Sequence, residues 1–171
     1  MNIEGGKPHQ GRKPRKMPPP NLPNSASAQC YWALANSFAS AAEQLLANQS
    51  SQALVPILYL LGHSLELHLK AFIIRHGVPE KNLRNEFGHD LVSSLRQCKR
   101  IELCSHLSLS YNQIRQIVRV NHYYQEKQLE YFYATHKHFG SIENFRDIVN
   151  QTSQAVFISI TDNDFRALSK S

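Results

Sequence analysis

Cysteine, glycine and uninterrupted apolar sequence are all scarce in this chain of 171 residues. The three cysteines, Cys30, Cys98 and Cys104, are odd in number and form no C-x-x-C pair. That excludes a fully paired disulfide framework and predicts buried thiols in a reducing compartment. The N-terminus is polar and proline-rich rather than basic and then apolar, so it does not read as a secretory leader. The most apolar run, ALVPILYLLG, is interrupted by His63 and Glu66, short of the ~20 residues that a membrane span needs. The expectation is a cytoplasmic protein with no membrane partner.

Charge of either sign is also sparse once the first 25 residues are set aside. Lys7, Arg12, Lys13, Arg15 and Lys16 against Glu4 give that segment +4, and the remaining 146 residues carry only +2. A nearly neutral body argues against a dedicated nucleic-acid groove. Six of the eight prolines fall within the first 23 residues, where few apolar side chains could offset the entropy of ordering. Residues 1–24 therefore read as a disordered basic arm, and residues 25–171 as one domain with a core of its own.

From Ser25 onward only Pro56 and Pro79 remain, with glycines at 62, 77, 88 and 140. Three of these glycines suit helix ends, which leaves long helical segments. Apolar residues at 31, 34, 35, 38, 41, 42, 45 and 46 repeat with a helical period. Pro56 fits the first turn of a second helix running to Gly77. Asp90 offers a cap for a third helix with Leu91, Leu95 and Cys98 on one face. Ser110 and Gln113 form a capping-box pattern ahead of Ile114, Ile117, Val118 and Tyr124. Ser141 can cap a last helix with Ile142, Phe145, Ile148, Val149, Thr152, Ala155 and Val156 aligned. Only VFISI suggests a short extended piece. The fold expectation is an all-α, antiparallel bundle of about five helices.

The second helix, PILYLLGHSLELHLKAFIIRHG, is apolar almost all round, as a central helix should be. Yet Tyr59, His63, Glu66 and Lys70 are spaced four, three and four apart and share one face. Burying an unpaired charge is expensive, so Glu66 and Lys70 should pair with each other or with a partner segment. The bland alternative is a surface pair worth about 0.2–0.5 kcal/mol.

LGHSLELHLKAFIIRHG followed by FGHDL resembles the HEPN superfamily of small helical bundles, and specifically its branch with an H-S-x-E-x-x-x-K helix and a G-H-D-L turn. The matching positions are His63, Ser64, Glu66 and Lys70, then Gly88 to Leu91. VNHYYQEKQLEYFYA resembles the same branch's N-x-Y-Y-x-x-K-x-x-E-Y segment, through Asn121, Tyr123, Tyr124, Lys127, Glu130 and Tyr131. These matches span about residues 54–133. The resemblance implies a helical module that is either a metal-independent endoribonuclease acting as a dimer or a non-catalytic binding and dimerisation unit. Either would suit a bacterial defence or toxin–antitoxin setting.

The catalytic members carry Arg-x(4–6)-His, in which histidine moves a proton at a ribose hydroxyl and arginine stabilises charge on the phosphate. Arg84/His89, Arg100/His106 and Arg115/His122 fit that spacing, but composition alone yields about two such pairs. Arg115/His122 also has Tyr124 behind it, so these three are the catalytic candidates. The binding reading rests instead on a polar seam of His63, Glu66, Lys70, His89 and Asp90, with Asp90 capping the third helix and His89 turned toward Glu66. His136 and His138 could hold a metal only with further ligands, and neither metal nor cofactor is expected. The partners expected are a second copy, RNA or a nucleotide, or another protein. The arm by itself could bind nucleic acid.

Overall fold

The computed structural model describes residues 24–48, 54–131 and 138–168, with side chains described from 26 to 161. Within these residues the chain is an all-α bundle of six helices and contains no strand. The helices are α1 Asn24–Ala47, α2 Leu54–Arg75, α3 Glu80–Glu86, α4 Leu91–Arg100, α5 Tyr111–Gln125 and α6 Ile142–Leu168, with a 3-10 turn at Leu103–Ser105 before α5. Apart from Asn24, the first residue of α1, the basic arm lies outside the described residues.

The punctuation read from the sequence recurs in the structure. Gly77, Gly88 and Gly140 all take positive φ at helix ends, where a side chain would be strained. Asp90 caps α4, and its carboxylate accepts from the Val92 and Ser93 amides at 2.9 and 3.0 Å. Ser110 and Gln113 form a reciprocal capping box at α5. The Ser141 hydroxyl accepts from the Asn144 amide at 3.0 Å to start α6.

Two expectations need correction. A short helix, α3, lies between the end of the second helix at Gly77 and the Asp90 cap, which makes six helices rather than about five and puts Arg84 in the last turn of α3. VFISI is helical, with Val156, Ser159 and Ile160 buried. There the 3.6-residue stripe of α6 overrides the strand preference of its β-branched residues.

Helix α2 is the core of the bundle, and from Leu61 to Ile74 every residue but His63 is buried. It is long and apolar enough by composition to cross a membrane, with a mean hydropathy of 1.4, but 83% of that stretch is inside the protein. Burial within the bundle therefore accounts for its apolar character. Helix α1 runs antiparallel to α2, since Phe38 meets His63 and Tyr31 reaches Glu80 just past the end of α2. It is antiparallel to α6 as well. Trp32 donates to the Ser153 carbonyl at 3.1 Å, and Arg146 lies 3.8 Å from Glu43. Of the cysteines only Cys98 is buried, with its thiol 3.5 Å from the Leu69 carbonyl; Cys30 and Cys104 are exposed. The expectation of buried thiols thus holds at one position of three, because Cys30 and Cys104 face outward from α1 and the 3-10 turn.

Candidate functional site

A single buried carboxylate organises the polar side of α2. Glu66 is 2% exposed and Lys70 8%. The Lys70 ammonium donates to Glu66 Oε1, as the i,i+4 spacing predicts. It also donates to the Gly88 carbonyl at 2.7 Å. Gly88 can present that carbonyl because it adopts φ +52°, a left-handed conformation that reverses the chain between α3 and α4. The next residue, His89, then comes back over the carboxylate, with Nδ1 3.1 Å from Glu66 Oε2.

Helix α5 supplies the third partner. The Tyr124 hydroxyl donates to Glu66 Oε2 at 2.5 Å. Its ring lies against Gly62, where an added Cβ would meet Tyr124 Cδ2 at 2.9 Å. Gly62 is therefore the clearance for Tyr124, which is why a glycine sits in the middle of a buried helix. The tyrosine has one proton and gives it to Glu66. His63 Nδ1, 2.9 Å from the same hydroxyl, must then be a donor. His89 Nδ1 must also donate, because an ionised carboxylate only accepts. Both imidazoles thus carry a proton on Nδ1, pointed at the Tyr124 hydroxyl and the Glu66 carboxylate respectively. His63 is steadied by Phe38 edge-on at 4.4 Å and Tyr59 stacked at 5.9 Å.

These partners decide the electrostatics. Burial alone would push the Glu66 carboxyl up. The His63 ring 3.7 Å away, the Lys70 charge and the Tyr124 hydroxyl outweigh it and bring the pKa down to about 2. Burial and the neighbouring Glu66 charge drive the Tyr124 hydroxyl the other way, so it stays protonated. A carboxylate this stabilised is a poor general base. Its chemical capacity is to fix the orientation of two partly exposed imidazoles and to tie α2, the Gly88 turn and α5 together.

A second set of bonds continues the seam. Asn121, 7% exposed, accepts from the Leu91 amide at 2.8 Å and donates to Asp90 Oδ1 at 3.1 Å. The Leu91 amide is one of the donors a helix start leaves unsatisfied, so α5 completes the cap of α4. Burial opposes ionisation of Asp90, but hydrogen bonds from Ser93, Asn121 and Val92 win and lower its pKa.

The structure therefore brings together His63, Glu66, Lys70, His89 and, through Asn121, Asp90. It separates the catalytic candidates. Arg115 and His122 are seven residues apart and share an outer face of α5, where both are exposed. Tyr124 lies about 200° around the helix from His122 and is buried on Glu66. Arg115 rests over the Tyr111 ring at 5.7 Å, and His122 is 4.0 Å from Glu126. Arg84, Arg100 and His106 are exposed, and His89 is occupied by Glu66 rather than by Arg84.

The tyrosine-rich segment divides in the same way. Asn121 and Tyr124 point inward, and Tyr123 packs on Phe139 and accepts from the His138 amide at 3.2 Å. Lys127 takes φ +58° in the turn that ends α5, while Glu130 and Tyr131 are exposed. His136 lies outside the described residues. Among the described residues no three His, Cys, Asp or Glu side chains are grouped to hold a metal ion.

Two roles escaped the sequence reading: Asn121 as part of the α4 cap and Gly62 as the clearance for Tyr124. The available signal was a glycine that failed to break an otherwise apolar helix. Compared with family models, curated proteins and solved structures, the chain gives no match to any of them.

Proposed function

We propose that this chain is a HEPN-like helical module of the cytoplasm that works by binding, to a second copy of itself or to a partner protein, rather than by catalysis. The observation that carries the reading is the fate of Tyr124. Its hydroxyl is engaged by Glu66 in the interior, so within one chain Tyr124 does not join Arg115 and His122 in a shared site. The low pKa of Glu66 supports the same view, because the most buried carboxylate serves structure and not proton transfer. In this reading the Glu66 seam sets the angle between α2, α4 and α5, and the outer faces of α4 and α5 meet the partner.

The test is the molar mass of the full chain by light scattering across a concentration series, together with the integrity of added RNA. A dimer that leaves RNA intact fits the proposal. A second reading, a metal-independent endoribonuclease acting as a dimer, draws on the shared outward face of Arg115 and His122, which two copies could bring together. RNA cleavage that disappears in His122→Ala would establish it and remove the first.

A further inference from the structure

Charge in the folded body is close to balanced overall but not locally. Helices α4 and α5 together carry Arg96, Lys99, Arg100, Arg115 and Arg119, and neither contains an aspartate or glutamate. Among the described residues none of these five enters an ion pair. The nearest carboxylates in sequence lie beyond the helix ends: Asp90 is engaged in its cap, and Glu102 and Glu126 follow the last turns.

Between the two helices runs a groove of about 190 Å³. Its floor is aliphatic, with Val92 and Leu95 from α4 and Ile114, Ile117 and Val118 from α5, and Arg96 and Lys99 stand along it. Positions 92, 95, 96 and 99 repeat as i, i+3, i+4 and i+7, and 114, 117 and 118 as i, i+3 and i+4. Two parallel rows of this kind make a channel that accepts the ridge of a third helix. Val118 is 51% exposed, a position where an aliphatic side chain gains by being covered.

The lining discriminates between occupants. A single-stranded nucleic acid binds through aromatic platforms as well as charge, and this floor has no aromatic ring. The basic arm at residues 1–24 would be repelled by the rim. What fits is a helix with aliphatic residues on one stripe and acidic residues beside it. We propose that the α4–α5 groove is the docking site for an acidic amphipathic helix of a partner protein. This inference rests on the reading of the chain as a binding module and gives that module a surface and a partner chemistry.

The experiment uses the full chain and a fluorescein-labelled helical peptide of about five turns, made of alanine and glutamate with leucine at i, i+4, i+7 and i+11. An otherwise identical peptide carries lysine in place of glutamate. Fluorescence anisotropy should show the glutamate peptide binding at least about tenfold more tightly than the lysine peptide, and weakening as salt rises. Val118→Glu should lower that affinity about tenfold or more, and the double variant R96E/K99E should invert the preference between the peptides. All three positions are partly solvent-facing, and circular dichroism melts check that each variant is folded.

Equal binding of the two peptides, or undiminished binding by Val118→Glu, overturns the proposal. So does an oligouridylate that displaces the peptide from the wild type and loses affinity in both Val118→Glu and R96E/K99E, which would assign the face to nucleic acid. Failure of peptide docking in a dimeric protein that leaves RNA intact removes only this inference. RNA cleavage abolished by His122→Ala removes the module reading itself.

Discussion

Replacing Glu66 by glutamine keeps the shape of the side chain and removes the charge on which Lys70, His89 and Tyr124 converge. Glu66 is held at about pKa 2 against an ordinary 4.5, a difference worth about 3 kcal/mol of folding stability. Its folded pKa is depressed, so this contribution is complete above the unfolded value, near pH 4.5. It is lost as the pH falls through 2. The variant also leaves the Lys70 ammonium, 8% exposed, facing a neutral amide, and breaking a buried pair costs about 3–5 kcal/mol.

Urea unfolding followed by circular dichroism at pH 7 should therefore place Glu66→Gln about 3 kcal/mol below the wild type. In urea that is a midpoint shift of roughly 1–3 M. At pH 3 the gap should narrow to roughly 1 kcal/mol, because the wild type has by then lost most of the carboxylate's contribution. Adding Lys70→Met to Glu66→Gln should recover part of the loss, since it removes the buried ammonium that the single variant leaves without a counter-charge. A single variant within about 0.5 kcal/mol of wild type at pH 7, or a gap that does not change with pH, would refute the account of the seam.

Three further outcomes follow from neighbouring residues. His68 is fully buried with Nε2 unpartnered, and burial lowers its pKa to about 4. Below pH 6.5 the unfolded chain therefore takes up a proton that the folded chain refuses. Stability should fall by about 3 kcal/mol between pH 6.5 and 4 from this residue, and His68→Leu should flatten that slope in a pH series of urea melts. Asn121→Ala should cost about 1–3 kcal/mol by leaving the Leu91 amide unsatisfied. Asn121→Asp should be worse at pH 7, where it sets a second carboxylate beside Asp90, and should improve on acidification. Gly62→Ala should lower stability by about 1–3 kcal/mol through overlap with the Tyr124 ring, read as a drop in melting temperature.

The parts of this fold legible in sequence were those fixed by neighbours along the chain. A capping box, an N-cap aspartate, glycines at helix ends and an i,i+4 Glu–Lys pair are all local, and each stands where the sequence puts it. The approach of His89 to Glu66 was legible only through the resemblance that joined the two blocks. Contacts between remote segments were not. Tyr124 reaches Glu66 across 58 positions, and nothing in its spacing separates a buried hydrogen-bond donor from a surface candidate beside His122. Helix α3, EKNLRNE, is polar and only seven residues long, so it offers almost no apolar stripe to read. VFISI misleads because its composition suits a strand, while its burial follows the stripe that begins at Phe145.

The most direct test of the central claim, that this chain binds rather than cleaves, is incubation of the purified full-length protein with total RNA, read by capillary electrophoresis. Wild type and His122→Ala should both leave the RNA profile unchanged at every protein-to-RNA ratio. Fragmentation by the wild type that vanishes with His122→Ala or Arg115→Ala would contradict it.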